Sequence, residues 1–205
     1  MFRRKRKPSQ QHPPGARRPL TIFFVRHGQA EDPQTDVAYD PDLTRLGRKQ
    51  AARVARRLSN EHFDHIYLSD LSRAYRTGER ILKFHPDVPV TVTRTLREIA
   101  HDHFIPDSHN KSGSEPAILK ERNRIDEFAD HLCRSHEFGS RILVVAHGNL
   151  IRVLLPVLAG YNPQASVMIE LENTSVTILE TWPSKRSILR LANCVSHLRR
   201  SEISL

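Results

Sequence analysis

Arg26, His27 and Gly28 close an apolar run, Leu20-Thr21-Ile22-Phe23-Phe24-Val25. Arginine grips a phosphate with two parallel N–H bonds. Histidine serves as a nucleophile or proton carrier, and glycine lets the backbone come close to a ligand. The pattern recurs where Val144-Val145-Ala146 runs into His147-Gly148. If the two runs are neighbouring parallel strands, both imidazoles reach one sheet edge, and α/β sheets bind ligands at strand carboxyl ends. One histidine at such a place is usually a hydrogen-bonded structural residue; two His-Gly pairs at two strand ends favour chemistry. A third segment, Ser69-Asp70-Leu71-Ser72-Arg73-Ala74, follows the short run His65-Ile66-Tyr67-Leu68. Ser69 or Asp70 is expected to cap a helix whose first turn carries Arg73, and a helix N-terminus favours anions. Arg76 and Arg80 read instead as a solvated face.

The elements that must position these residues are legible in the apolar spacing. Leu20–Val25 reads as the first strand. Leu46, Ala51, Val54, Ala55 and Leu58 recur at helical spacing behind Thr44, an expected N-cap. His65–Leu68 is a second strand, and Leu71, Ala74, Tyr75, Ile81 and Leu82 form the next helix face. Val88–Thr93 reads as extended and His101–Gly113 as a loop. Ser114 is expected to cap a helix in which Ile118, Arg122, Ile125, Phe128 or Ala129, and Leu132 share a face. Arg141–Ala146 is the most apolar run and should be central, with a helix following from about Leu150 to Ala159. Val167–Leu171, Ser175–Glu180 and Ser187–Leu191 are the candidate last strands. This alternation predicts an α/β fold, a single-domain three-layer α/β/α sandwich with a mostly parallel central sheet.

The chain has 205 residues, 38% of them hydrophobic, enough for one core. Of its net charge of +9, most is local: residues 1–19 carry seven lysines and arginines and no acid. With four prolines, that stretch is expected to be a disordered tail, and residues 20–205 the folded domain. The tail reads as a solvated basic arm; the alternative is a weak contact to nucleic acid or an anionic surface. Cys133 and Cys194 form no disulfide framework and read as small buried apolar residues. No run is long and apolar enough to span a membrane, and no secretory apolar core opens the chain, so a cytoplasmic location is expected.

Taken in order, the motifs resemble the histidine phosphatase superfamily, in the branch that includes the phosphoglycerate mutases. The likeness runs through Arg26-His27-Gly28, the segment from Asp42 to Gly47 with Gln50-Ala51, Ser69–Ala74, Leu96-Arg97-Glu98, Ala146-His147-Gly148, Asn173–Val176 and Asn193–Leu198. It implies that His27 attacks phosphorus and forms a phosphohistidine. Arg26, Arg73 and a protonated His147 would hold the phosphoryl oxygens, and Glu98 would act as acid and then as base, with Asp102 as the fallback. Gln29 and Asn149 are expected to touch substrate. No cofactor and no metal are expected, although His101, His103 and His109 have zinc-like spacing. The partner is a small phosphorylated substrate or a phosphoprotein; the sequence sets no oligomeric state. Relatives commonly place threonine where Ala30 stands, and the stretch from Glu98 to His147 is shorter than in the mutases, whose longer insertion shields the intermediate from water. Both departures favour hydrolysis over mutase chemistry. The alternatives are a phosphoglycerate-type mutase, a protein phosphatase for phosphohistidine or phosphoserine/threonine, and a non-catalytic phosphate-binding module.

Overall fold

The computed structural model describes residues 18–31, 40–99, 115–161, 169–183 and 186–205. Six strands form one sheet: β1 (Leu20–Arg26), β2 (His65–Ser69), β3 (Val90–Thr93), β4 (Arg141–Ala146), β5 (Val176–Thr181) and β6 (Ser187–Cys194), in the order β3-β2-β4-β1-β5-β6. The first four in that order run parallel, and β5 and β6 complete the sheet antiparallel. The most apolar run, β4, is central as its composition predicts.

Alternation along the strands divides the core into two halves. Ile22, Phe24, Ile142 and Val144 face one side, under α3 (Glu115–Ser135) and α4 (Gly148–Leu158), where Ile125, Leu132, Leu150 and Leu154 close the layer. Phe23, Val25, Leu143 and Val145 face the other side, under α1 (Arg45–Leu58) and α2 (Ser72–Leu82), with Val54, Leu58 and Ile81. Helices therefore cover both faces.

Thr44 caps α1 as its position suggests, its hydroxyl accepting from Gly47 N at 3.0 Å. Three local expectations need correction. Tyr75 is 36% exposed and stands off the buried face of α2. Neither Ser69 nor Asp70 caps α2: Asp40 does so from a distance, its Oδ2 accepting from Ser72 N and from Ser72 Oγ, both at 2.8 Å. Residues 169–171 form no strand, because arginines take their carbonyls: Ile169 O accepts from Arg152 Nε and Leu171 O from Arg26 Nη1. The two cysteines are half-buried, and Cys194 reaches Ser196 Oγ. The tail up to residue 17, the loop from His101 to Gly113, the cap at Ser114, and Val167 and Met168 lie outside the described residues. Among the described residues, no helix is long and apolar enough to cross a membrane.

Candidate active site

The two His-Gly pairs meet because β1 and β4 are adjacent, parallel and in register. Arg26 stands opposite Ala146, so each histidine lies one residue beyond a matched strand end. Their rings are 5.0 Å apart between centroids, at 59°, and both are buried. His27 N also donates to Ala146 O at 2.9 Å, tying the two ends together.

His27 is oriented through both ring nitrogens. Nδ1 lies 2.8 Å from Gly28 O. A carbonyl only accepts, so Nδ1 carries the proton and Nε2 keeps its lone pair. Arg73 Nε, in the first turn of α2, donates to that Nε2 at 3.3 Å. Burial, followed by the fields of Arg73 and Arg26, lowers the pKa of His27 to about 3 despite the bond to Gly28 O. At neutral pH the ring is uncharged.

The turn after His27 is tightly packed. A Cβ on Gly28 would lie 2.6 Å from Gly47 O, and one on Gly47 would lie 2.0 Å from Gln29 O. Glycine at both positions lets the start of α1 close against the strand end. Gly28 N donates to Thr77 Oγ1, which donates to Arg73 O, so one hydroxyl links the His27 turn to the helix bearing Arg73. From the far side, Thr174, at φ 58°, donates its N–H to both Arg26 O and His27 O.

Ser69, at the end of β2, lies 2.9 Å from His147 Nε2 through its Oγ. Sequence reasoning placed Ser69 as a helix cap and missed this contact; only the neighbouring of β2 and β4 creates it. His147 Nδ1 is buried without a hydrogen-bond partner among the described residues, and Arg26 Nε is in the same condition. The pKa of His147 lies well below the usual histidine range, through burial and then the nearby His27, Arg73 and Arg26. Without a bound anion its ring is therefore neutral.

Glu98 follows the 3-10 turn Arg94–Leu96 and sits against the start of α4. Its Oε1 accepts from Ile99 N at 3.1 Å and Leu150 N at 3.0 Å, and its Oε2 from Asn149 N at 3.4 Å. Burial raises its pKa above the usual carboxylate range, against the pull of those N–H groups and of Arg73. Arg73 is also paired with Asp40 at 3.6 Å. The structure thus brings Arg26, His27, Arg73, Glu98 and His147 to the carboxyl edge of β1, β2 and β4.

The weaker candidates are turned inward. Gln29 Oε1 accepts from Thr44 Oγ1 at 2.7 Å, and Gln29 N donates to Gln50 Oε1. Asn149 Nδ2 donates to Ile99 O, and its Oδ1 accepts from Arg152 Nη1. Asp102, His101, His103 and His109 lie outside the described residues. Among the described residues, no group of three or more histidines, cysteines and acids is arranged to hold a metal ion.

A family description, the histidine phosphatase superfamily (branch 1), matches residues 22–108 and 105–194. A mitochondrial serine/threonine-protein phosphatase Pgam5 from Caenorhabditis briggsae is 29% identical over 89% of this chain, which spans 66% of that protein's length. Phosphoglycerate mutase-like protein 4 from Arabidopsis thaliana is 29% identical, over 88% of this chain and 87% of the relative. Among solved structures, a mycobacterial glucosyl-3-phosphoglycerate phosphatase superposes with a TM-score of 0.69 at 23% identity, covering 86% of this chain and 100% of its own, a likeness of fold.

Proposed function

The chain belongs to the histidine phosphatase superfamily, branch 1, and is a phosphoric monoester hydrolase; from that premise we propose how these side chains divide the reaction. The observation that carries the reading is a pair of buried nitrogens, Arg26 Nε and His147 Nδ1, without a hydrogen-bond partner among the described residues, at the two strand ends that carry the histidine pair. Buried donors are costly to leave unpaired, and phosphoryl oxygens would satisfy both.

Nε2 of His27 attacks phosphorus, and the bond from phosphorus to the ester oxygen breaks. Nδ1–H stays on Gly28 O and steadies the charge that develops on the ring. Arg73 moves its Nε–H from the lone pair of His27 to a phosphoryl oxygen. Arg26 and His147 bind the other oxygens, with the Ser69 hydroxyl donating to His147 Nε2 so that Nδ1 presents its proton. The dianion also draws a proton from solvent onto His147 Nε2, offsetting the burial and fields that keep the ring neutral, and Ser69 Oγ then turns to accept from it. Glu98, whose pKa burial raises, gives its proton to the departing oxygen. Its carboxylate then takes a proton from the water that cleaves the phosphohistidine, releasing phosphate and restoring His27.

The leaving group would lie over a groove of about 870 Å³ beside Glu98, edged by Arg94, Arg97, Lys120 and Arg124. With Glu121 and Glu127 on the same rim, and Arg94 and Arg97 paired with Asp70, this suits a phosphomonoester with a polar remainder, small or carried on a protein. Hydrolysis is favoured over transfer by Ala30 in place of a hydroxyl and by the short stretch from Glu98 to His147. The test follows phosphate from a radiolabelled monoester in the presence of an acceptor sugar acid. Release of inorganic phosphate through an acid-labile labelled enzyme is expected. Transfer to the acceptor faster than release would make the protein a mutase, and turnover without any labelled enzyme would overturn the histidine route.

A further inference from the structure

A second concentration of charge lies away from these residues. The helix α1 carries six lysines and arginines and no acid. Like charges three and four residues apart on a helix repel, and here they are gathered in a concavity rather than dispersed into solvent. Lys49, Arg53, Arg56 and Arg57 line one wall of a groove of about 730 Å³, and the segment following β6 forms the other with Arg199 and Glu202. Five cations thus face a single carboxylate. Arg53 is paired with Glu202 at 3.1 Å, and Arg57 donates to Cys194 O and to His197 Nδ1. Among the described residues, Lys49 and Arg56 have no ion pair, and both are exposed.

We propose that this groove is a binding site for a small ligand carrying a chain of two or three phosphates, distinct from the pocket of His27. None of Arg26, His27, Arg73, Glu98 and His147 lines it. Its volume is that of a small-molecule site. Four of its five cations are arginines, whose planar forks match phosphate oxygens. Lys49 and Arg56 are separated by about 10 Å of helix axis; one phosphate cannot bridge them, whereas a di- or triphosphate can. The basic segment before residue 19 carries the same sign of charge as the groove.

The groove also abuts the catalytic strand. His197 Nδ1 accepts from Arg57, and its Nε2 lies 3.2 Å from Thr174 Oγ1; Thr174 is the residue that binds the carbonyls of Arg26 and His27.

The test is calorimetric titration of tripolyphosphate into the full His27→Ala chain, which cannot form the phosphohistidine, with and without the added substitutions Lys49→Gln and Arg56→Gln. Both side chains are exposed, so the melting temperature should hold. The expected result is a binding event weakened at least about tenfold by the two substitutions, with no such difference for orthophosphate. In the otherwise unaltered chain, the same pair should leave aryl phosphate turnover unchanged. A nucleoside triphosphate binding as well as tripolyphosphate would mean that the phosphate chain alone is read; tighter nucleotide binding would add a base contact. Unchanged tripolyphosphate affinity, an equal loss from Arg80→Gln with Lys83→Gln at the C-terminal end of α2, or equally tight binding of a hexaglutamate peptide would overturn the proposal.

Discussion

His27 and Glu98 are shifted in opposite directions by the same cause, burial, and the reaction proposed for them needs both shifts. With a pKa of about 3, His27 is fully available as a nucleophile above about pH 5. Glu98 must be protonated for the first step, so kcat for a poor leaving group should decline as pH rises through its elevated pKa. Glu98→Gln should remove that alkaline limb and slow poor leaving groups by about 10²–10⁴-fold, while activated aryl phosphates lose little. Equal losses on both substrate types would rule out Glu98 as the proton donor. His27→Ala should lower turnover by about 10³-fold or more and abolish acid-labile phosphoenzyme, read by radiolabel and steady-state rates. Ser69→Ala should lower kcat about tenfold, the worth of one buried hydrogen bond that orients His147. An unchanged kcat would show that His147 needs no orientation from Ser69.

The start of α1 and the turn after His27 form one packed unit. Gly47→Ala would force a Cβ to 2.0 Å from Gln29 O, a clash with backbone that only a shift of the helix or of the His27 turn relieves. It should cost about 3 kcal/mol or more and impair turnover with it, measured by urea unfolding and kcat on one preparation. Thr44→Ala, losing only the cap, should cost about 1 kcal/mol. These local features were legible because caps and periodicity act over a few residues. Strands β1 and β4, helix α1 and both His-Gly turns were written in the same short range. The contacts that sequence reading missed join residues remote in the chain: Asp40 to Ser72, Ser69 to His147, Thr77 to Gly28, Thr174 to the carbonyls of Arg26 and His27. The run Val167–Leu171 read as a strand, because periodicity does not record that arginine side chains take the carbonyls of Ile169 and Leu171. Residue type likewise gives only the ordinary pKa of His147, whereas burial, and then the neighbouring His27, Arg73, Arg26 and Arg124, lower it.

For the molecule as a whole, burial leads the causes that lower the pKa of six described histidines: His27, His65, His85, His136, His147 and His197. The unfolded chain takes up protons from about pH 6.5 downward, whereas the folded one resists until about pH 4 at His197 and about pH 3 at His27. Stability is therefore complete above about pH 6.5 and is lost as pH falls, by about 1.4 kcal/mol per pH unit for each fully buried ring such as His27 and His147. Glu98 works in the other sense, losing stability as pH rises through its raised pKa, but it is one group against six. Urea midpoints measured from pH 7.5 to 4.5 should fall steadily below pH 6.5; a flat profile would mean that the histidines protonate without resistance. A different consequence follows from the in-register pairing of Arg26 with Ala146. Side chains alternate across a sheet with a period of two, so one residue inserted into or deleted from either β1 or β4 acts as a frameshift in space. It would send one imidazole to the opposite face while leaving every motif readable in the sequence. Length changes should thus be tolerated only in connections outside those two strands, and a chain that keeps both His-Gly pairs but changes a strand length by one should fold toward a sheet and have no catalytic pair.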